Sequence, residues 1–532
     1  MSDDVHHDPD VSQEDYMSGL RLARRDFLIK SGLAAAAAVA APTWLKTEQA
    51  AAALEASTRS GAVGGDRIAS GAVTAAKQFQ GITLGRINEA GPQALDDKNF
   101  SGPLWEKLTG IKTTVAEAPF AQIRTKVIAE HLAKSGALDT IEMSPAWLPD
   151  FADQGVIMPI DSMIRKYRAQ STLTDLHPLY RALGRYKGQT WGFFDDGDVW
   201  ALYYRKDIFG NAKLKAAYKA KYNRDLRVPR GWDEFNQVAQ FITDQMAPGV
   251  YGTGMGRALG NPGNQFYFFQ QFRANGGRFF NPQTMKAEIA NAIGIKTMNQ
   301  ILAQNKASPP GVVKLDFVSG WGLWLQGKTA MIMAWPPTGR ISENYSQRDK
   351  AFSFLPKSKI VGKVGYARVP GINGEHAGSF IKAVMATSEN KDAAYLFNQW
   401  ANSPSISLQR VMLPYTLRDP YRISHYKSAK YRALWPAAAE YLRTLSEAAN
   451  DAVLDLTMSG AGDYANAIDR AMTGIYAGKD VKEGLEEAAA EWDRITNRLG
   501  VAKQRASYAN FLTYPGSTGK NTVRKRGQAI KI

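Results

Sequence analysis

Tryptophans in predicted loops and at strand ends are the first candidates for ligand chemistry in this sequence. Trp147 stands in a Ser-Pro-Ala-Trp stretch after a short apolar strand, where open α/β sheets place loops that contact ligands. Trp335 ends a predicted strand before two prolines, and Trp321 lies in a Gly-Trp-Gly-Leu-Trp stretch that offers Trp324 as an alternative. An exposed indole stacks on an apolar ligand face, whereas a buried indole fills a core. Both interpretations stay open for each ring.

Charged residues near these tryptophans supply hydrogen-bonding candidates. Asp195, Asp196 and Asp198 form an Asp-Asp-Gly-Asp turn between two aromatic strands, where carboxylates can accept bonds from ligand hydroxyls. A solvated turn has the same composition. Arg340 follows Pro337, Thr338 and Gly339, and its guanidinium suits bidentate contact with an anionic group. The alternative for Arg340 is an ordinary surface position.

Residue patterns typical of catalytic, metal and cofactor sites are missing from the sequence. The chain has no cysteine, which excludes disulfides and thiol chemistry, and its six histidines are separated from one another or precede the folded body. There is no G-x-S-x-G turn, and the glycines between Gly252 and Gly260 do not have the spacing of a dinucleotide-binding loop. We therefore predict no catalytic residue, no metal site and no cofactor.

Length and charge limit the classes that remain. The 532 residues are 44% hydrophobic and 22% charged, which is typical of two or three globular domains. The net charge of +16 is spread along the chain apart from a short basic tail, so we predict no nucleic-acid partner. The excess favours an acidic ligand or a negative membrane surface, or it serves only solubility.

The N-terminal 53 residues read as a twin-arginine export signal. Arg24 and Arg25 precede an alanine-rich apolar run that is too short to span a bilayer, and A-x-A sites follow near residue 50. Residues 54–79 are rich in Ala, Gly and Ser and are predicted to be a linker. The folded protein is therefore expected in the periplasm, without a lipid anchor.

Hydrophobic periodicity predicts an α/β body from about residue 80. Strand and helix patterns alternate from 82 to 143, as in βαβ units with a mostly parallel sheet. Two aromatic strands at 191–194 and 200–204 flank the acidic turn and suggest a crossing between lobes. Helical patterns dominate the last third, including 391–402, 433–449 and 481–499.

Several landmarks in this order resemble the extracellular solute-binding proteins of ATP-driven sugar importers, the maltose-binding-protein-like class. The landmarks are 104–115 with its Leu-Thr-Gly-Ile, the Ala-Asp-Gln-Gly-Val-Ile-Met-Pro-Ile-Asp of 152–161, the Tyr-Lys-Gly-Gln-Thr-Trp-Gly and Tyr-Tyr-Arg-Lys-Asp-Ile-Phe of 186–209, the helix start at 229–235, the Gly-Lys-x-Ala-Met strand at 327–335, and 378–400. Gly231 stands where the family usually has Thr. The resemblance covers most of residues 80–500.

The resemblance implies a two-lobed periplasmic-binding-protein fold with a hinge, a ligand cleft and a helix-rich C-terminal part. We predict lobe one from 80–194 and 352–404, lobe two from 195–351 and 405–500, and a basic extension at 501–532. Glu89, Gly378 and Ser379 match positions where the family brings a side chain or a backbone amide to the ligand.

The same resemblance implies a function. It implies a monomer that captures a carbohydrate-like solute and passes it unmodified to an ABC permease in the inner membrane, without being an enzyme. An exported carbohydrate-active hydrolase or lyase, with two acids about 5 to 9.5 Å apart, is the alternative. A sensor that presents its ligand to a membrane receptor is a third interpretation.

Overall fold

The computed structural model describes residues 65–260, 264–346, 349–371, 375–376 and 379–532. The predicted export signal, residues 1–53, lies outside these residues. Within them, no helix is both long and apolar enough to cross a membrane. Two sheets and the helices around them order this part of the chain.

The strands are short and most are largely buried. In chain order they are β1 Thr83–Glu89, β2 Lys112–Ala118, β3 Thr140–Met143, β4 Arg185–Tyr186, β5 Gln189–Thr190, β6 Phe193–Phe194, β7 Ala201–Arg205, β8 Tyr251–Thr253, β9 Thr329–Ala334, β10 Val364–Ala367, β11 Glu375–His376, β12 Ile381–Val384 and β13 Val453–Leu454.

Helices up to residue 306 connect the strands or pack on the sheets. They are α1 Arg67–Ala76, α2 Pro92–Asp96, α3 Gly102–Thr109, α4 Phe120–Ala133, α5 Leu148–Asp153, α6 Asp161–Lys166, α7 Gln170–Thr174, α8 Pro178–Leu183, α9 Lys206–Phe209, α10 Ala212–Tyr222, α11 Trp232–Met246, α12 Asn264–Ala274 and α13 Ala292–Lys306.

The helices after residue 306 complete the list, and they dominate the chain after residue 385, as predicted. The remaining helices are α14 Phe317–Leu325, α15 Pro337–Ser342, α16 Lys391–Ala401, α17 Pro404–Met412, α18 Ile423–Lys427, α19 Ala429–Arg432, α20 Ala438–Asn450, α21 Ala461–Tyr476, α22 Val481–Leu499 and α23 Val501–Leu512.

The first sheet has the strand order β2-β1-β3-β12-β6. Strands β2, β1 and β3 are parallel, which confirms the predicted βαβ units, whereas β12 runs antiparallel to both β3 and β6. Gly85 of β1 lets the backbone at Ala137 approach, since an added Cβ would lie 1.8 Å from the Ala137 carbonyl oxygen. The carboxyl end of β1 therefore stands at a defined edge of this sheet, with Glu89 as its last residue.

The second sheet has the order β10-β7-β9-β8 and mixes both directions. Strand β7 runs antiparallel to β10 and β9, and β8 is parallel to β9. Every residue of β9 is buried, which matches the continuous apolar pattern of Thr-Ala-Met-Ile-Met-Ala. Strand β10 lies within the segment 352–404 predicted for lobe one, but it pairs with β7 of the second sheet.

In the part of the chain that the structure describes, three segments, which we call crossings and number in chain order, lie between elements of the two sheets. Residues 195–200 connect β6 to β7, residues 368–380 lead from β10 to β12, and residues 413–422 follow α17. The first and third crossings touch, since an added Cβ on Gly197 would lie 2.1 Å from the carbonyl oxygen of Pro420. The acidic turn is therefore buried between backbone segments rather than solvated.

Part of the predicted linker 54–79 is a packed helix. Asp66 caps α1 by accepting bonds from the amides of Ile68 and Ala69, and its backbone amide donates to Ser405 Oγ at 2.8 Å. The buried face of α1, which combines three alanines with Ile68 and Val73, packs against α16. Alanine-rich composition indicated a linker, yet alanine is also the best helix former, and only the partner helix decides between the two.

The predicted basic extension 501–532 is also structured. Helix α23 packs against α22, and Tyr514 donates from its hydroxyl to the Arg185 carbonyl at 2.7 Å. Arg524 forms an ion pair with Asp451, at 2.9 Å from Nε to Oδ1. The basic side chains of this tail therefore include at least one that neutralises a carboxylate of the body.

Candidate ligand-binding cleft

A cavity with an empty volume of about 600 Å³ lies between the two sheets. This volume includes space that is open to solvent. Both sheets and the crossing segments contribute to its wall, which is lined by Glu89, Gln93, Phe120, Asp196, Asp198, Phe266, Phe317, Trp321, Trp335, Pro337, Phe380 and Leu417.

The second sheet supplies a wall of aromatic rings. Phe317 and Trp321 lie one turn apart on α14, and their ring centroids are 5.2 Å apart with planes at 84°. Trp335 follows β9, and its ring is 5.9 Å from that of Phe317. The Trp321 indole nitrogen donates to Thr338 Oγ1 at 2.7 Å, which fixes the ring. Two of the three predicted tryptophans therefore lie together in the cavity.

The first sheet supplies Phe120 and Phe380, whose rings are 5.9 Å apart. Trp147 does not line the cavity. It lies behind Phe120, with a centroid distance of 5.0 Å, and only 8% of it is exposed. The short 3₁₀ turn Pro145–Trp147, capped by Ser144, turns this indole toward Phe120 and Phe151. Trp147 therefore supports a ring of the wall instead of presenting its own.

The polar part of the wall is acidic. Glu89 ends β1, and Asp196 and Asp198 lie on the first crossing. Asp196 accepts from Gln93 Nε2 at 2.9 Å and from the Asp419 amide at 2.7 Å, so the third crossing holds it in place. The described residues that line the cavity include no lysine, arginine or histidine. The acidic ligand favoured by the net charge of the chain therefore has no cationic partner among these lining side chains.

Burial changes the ionisation of these acids. Desolvation, reinforced by the charges of Glu142 and Asp196, raises the pKa of Glu89 to about 8. Desolvation also raises the pKa of Asp196 to about 6, although Arg418 opposes the shift. Burial and the neighbouring carboxylates raise the pKa of Asp198 well above its usual range. At neutral pH the empty cavity thus holds protonated as well as ionised carboxyl groups.

Asp195 points away from the cavity into a buried ion cluster. Its carboxylate pairs with Arg410, at 2.5 Å to Nη1, and with Arg418. Burial disfavours the charged form of Asp195, but the guanidinium groups of Arg410 and Arg418 outweigh that effect and hold its pKa below the usual value. Asp195 therefore has a structural role instead of the predicted ligand contact. Successive residues of an extended segment point in opposite directions, so Asp195 and Asp196 face different surroundings.

The same cluster joins distant parts of the chain. Asp96 accepts from the Nε atoms of both Arg410 and Arg418 at 2.7 Å, and Glu142 lies 3.0 Å from Arg418. Lys382 pairs with Asp97 at 2.8 Å. All of these side chains are buried. The cluster lies directly beside the acidic wall and connects the first and third crossings to the first sheet.

Arg340 is buried and does not line the cavity. On α15, its guanidinium donates to Asp419 Oδ1 and to the Arg418 carbonyl, each at 3.0 Å, and to the Val411 carbonyl at 3.3 Å. These bonds brace the third crossing from the second sheet. The sequence placed Arg340 correctly after the strand but could not show that its helix faces inward.

The two remaining predicted positions lie near β12. Gly378 falls outside the described residues. Ser379 is buried and directly precedes Phe380, which lines the cavity. Five lining residues had no signal that singled them out, namely Gln93, Phe120, Phe266, Phe380 and Leu417. Phe317 was detectable, because it stands four residues before Trp321 and thus on the same helix face.

A cluster of three carboxyl groups resembles the donor set of a metal site. Oxygen atoms of Asp196, Asp198 and Asp419 lie within 4.8 Å of one another. Asp419 is already paired with Arg340, and Asp196 is occupied by Gln93 and a backbone amide. Burial, together with neighbouring carboxylates, raises the pKa of Asp419 well above its usual range. Asp196 and Asp419 therefore already have protein partners in this arrangement.

The sequence profile of bacterial extracellular solute-binding proteins matches residues 86–406, more than half of the chain. The chain belongs to this family. The resemblance inferred from the sequence landmarks is thereby confirmed.

Individual relatives are distant. A "probable amino-acid ABC transporter periplasmic-binding protein" of Sinorhizobium fredii is 26% identical over 193 residues, which cover 36% of this chain and 41% of that protein. The erythritol/L-threitol-binding protein of Mycolicibacterium smegmatis is 23% identical over 500 residues, covering 88% of this chain and 96% of that one.

A solved structure shows the same fold. The ABC transporter solute-binding protein of Agrobacterium radiobacter K84, crystallised with ribitol, is similar with a TM-score of 0.64 at 21% identity, covering 78% of this chain and 99% of that one. The fold is thus the two-lobed α/β fold of periplasmic binding proteins, as predicted.

Proposed function

We propose that this solute-binding protein captures a sugar or polyol in the periplasm and delivers it unchanged to an ABC permease. The cavity between the sheets carries the proposal. It combines indole and phenyl faces, which suit C–H surfaces, with carboxyl and amide groups, which suit hydroxyls. The polyol named for the Mycolicibacterium relative and the ribitol of the Agrobacterium structure support this ligand class.

The proposed mechanism is closure of the two lobes around the ligand. Glu89 and Phe120 belong to one lobe, whereas Trp321 and Trp335 belong to the other, so a bound ligand touches both. Contacts made to both lobes at once favour the closed state by the difference in affinity between the two states. The permease is then expected to recognise the closed form of a monomer.

Export through the twin-arginine pathway remains part of the proposal. The Arg24-Arg25 pair and the apolar run after it support this route. Replacing both arginines with lysine should leave precursor in the cytoplasm, measured by fractionating cells that express the full chain. Equal amounts of periplasmic protein from both versions would rule out this route without affecting the binding proposal.

A ligand screen tests the proposed function. The thermal unfolding temperature of the mature protein should rise when certain alditols or sugars are added, because a ligand that binds only the folded state stabilises that state. The same ligand should be recovered unchanged by chromatography after prolonged incubation. Accumulation of a cleaved product would support the hydrolase or lyase alternative instead. No shift with any member of these classes would contradict the proposed ligand class.

A further inference from the structure

The charge of the cavity wall bears on the ligand class. Three carboxyl groups line it, those of Glu89, Asp196 and Asp198, and no basic side chain is among the described lining residues. The nearby cations are already paired: Arg340 with Asp419, and Arg418 with the buried cluster. A ligand with its own carboxylate or phosphate would meet uncompensated like charge here.

Gln93 and Trp321 offer no free donor to a ligand, because their N–H groups already bond within the protein. The Gln93 side-chain nitrogen donates a hydrogen bond to Asp196. The Gln93 Oε1 atom is buried and has no hydrogen-bond partner among the described residues. The Trp321 indole N–H donates its hydrogen bond to Thr338. The ligand must therefore bring donors to Gln93 and to the carboxylates, because a buried acceptor without a donor costs free energy.

The aromatic rings add a second preference. Six aromatic rings line the same cavity as the acids, those of Phe120, Phe266, Phe317, Trp321, Trp335 and Phe380. The faces of such rings attract a cation, most strongly where water is excluded. A small volume that is lined by both aromatic rings and carboxylates can recognise an ammonium group. A neutral polyol needs only the rings and uncharged hydrogen-bond acceptors.

Ionisation of the wall agrees with this geometry. Glu142, Asp196 and Asp198 act on the Glu89 side chain, and burial with like-charge repulsion raises the Glu89 pKa to about 8. A cation placed among these acids would favour their charged forms and would in turn be held by them.

We propose that the preferred ligand carries an amine: a polyhydroxylated compound such as an amino sugar or amino-alditol, bound as its ammonium form between Glu89, Asp196, Asp198 and the aromatic rings. This inference rests on the proposed function and narrows its ligand class.

Matched ligand pairs test the amine directly. Calorimetry at pH 7 compares glucitol with 1-amino-1-deoxyglucitol, and glucose with glucosamine and N-acetylglucosamine. At least one amine should bind about tenfold or more tightly than its neutral partner, and acetylation should abolish that preference. Gluconate and glucose 6-phosphate, which carry a negative charge and no amine, serve as anionic comparisons and should bind most weakly.

Variants of the wall show whether the acids cause the preference. Glu89→Gln should reduce the amine-to-neutral affinity ratio to below about threefold, whereas Glu106→Gln, at an exposed position of α3, should leave it unchanged. Asp198→Asn provides a second variant if Glu89→Gln does not fold, as judged by circular dichroism.

The possible outcomes separate the two proposals. Neutral alditols or sugars that bind as tightly as the amines would overturn the amine inference and leave the proposed function standing. An amine preference that survives in both wall variants would also overturn it. Absence of binding by every amine and every neutral compound would overturn both proposals. Tightest binding by an anionic compound would exclude the ammonium site.

Discussion

At the scale of single residues, we expect the aromatic wall to contribute much of the ligand affinity. Trp335 lines the cavity directly, between Phe317 and the buried Trp200, whose ring centroid is 5.2 Å away. Trp147 acts only through Phe120. The distinction separates rings that touch the ligand from rings that hold the wall in place, and the two kinds should respond differently to mutation.

We expect Trp335→Leu to weaken binding by about 1–3 kcal/mol, or roughly 5- to 150-fold, because stacking area and ring contacts are lost. Trp147→Leu should weaken binding less. Trp435→Leu, in a ring cluster with Tyr345 and Tyr431 that does not line the cavity, is the control and should lower stability without changing affinity. Calorimetry with the ligand found by the screen measures all three. A larger loss at Trp147 than at Trp335 would contradict this arrangement.

Glu89 should make the empty protein less stable at higher pH. Its pKa is raised from about 4.5 to about 8, so between these values the folded state holds a proton that the unfolded state has lost. The folded state then binds more protons, and stability falls as pH rises through this window. The wall acids and Glu142 that face Glu89 share this effect.

The pH effect is isolated by comparison with Glu89→Gln. Between pH 5 and pH 8, the free energy of unfolding of the wild type should fall by about 3–4 kcal/mol more than that of the variant. Urea unfolding of ligand-free protein at both pH values measures the difference. Parallel pH profiles for the two proteins would show that Glu89 is not protonated in the folded state.

At the scale of elements, short helices and crossings position the wall. Helix α14 presents Phe317 and Trp321 on one face, while α1 closes the outside of α16. The capping residue of α1 has an additional task, because Asp66 also accepts from the Ser405 amide at 2.7 Å. One side chain thus begins α1 and attaches it to the start of α17.

Asp66→Ala should lower the free energy of unfolding by about 1–2 kcal/mol, since it removes a helix cap and the bond to Ser405. Asp225→Ala, whose carboxylate is 81% exposed, is the matched control and should change stability by less than about 0.5 kcal/mol. Urea denaturation measures both. Equal midpoints for Asp66→Ala and the wild type would show that α1 is not held by this residue.

The contact between the first and third crossings should not tolerate a larger residue. Gly197→Ala places a Cβ against the Pro420 carbonyl, so we expect lower stability and weaker ligand binding, since Asp196 and Asp198 flank the site. Gly71→Ala, in α1 with open space around it, should be neutral or slightly stabilising. Thermal unfolding and calorimetry compare the two variants, and a fully functional Gly197→Ala protein would contradict the close approach.

At the scale of the whole molecule, the buried ion cluster joins the first and third crossings to the first sheet next to the cavity. Arg418 on the third crossing contacts Asp96, Glu142 and Asp195, which belong to three separate segments. The charges are buried together, so removing one partner leaves the others uncompensated. The cluster therefore fixes the placement of the first and third crossings relative to the first sheet.

Arg418→Met should destabilise the protein by about 3–5 kcal/mol, because three carboxylates lose a buried partner. Lys98→Met, which breaks the partly exposed pair with Glu117, should cost less than about 1 kcal/mol. Chemical denaturation measures both changes. A similar cost for the two variants would show that the cluster is more hydrated than its burial indicates.

The sequence alone determined much of the secondary structure and the family. Periodicity predicted helices at 232–246 and 481–499 with the bounds that the structure has. In a long amphipathic helix, the buried face appears in the sequence as apolar residues repeated every three to four positions. Ordered landmarks identified the solute-binding family before any contact was known. Trp321, Trp335, Asp196 and Glu89 were also named from local pattern or resemblance.

Tertiary structure alone decided which side chains share the cavity. Asp195 and Asp196 are neighbours in sequence, yet one enters the ion cluster and the other lines the wall. Arg340 and Trp147 turned toward protein partners that lie far along the chain or on another helix. Local sequence fixes the type of a side chain and its place on an element, but its partners come from segments hundreds of residues away. The acidic cavity in a basic protein is the clearest case, because net charge sums over the surface while a site is made by the few groups that folding buries together.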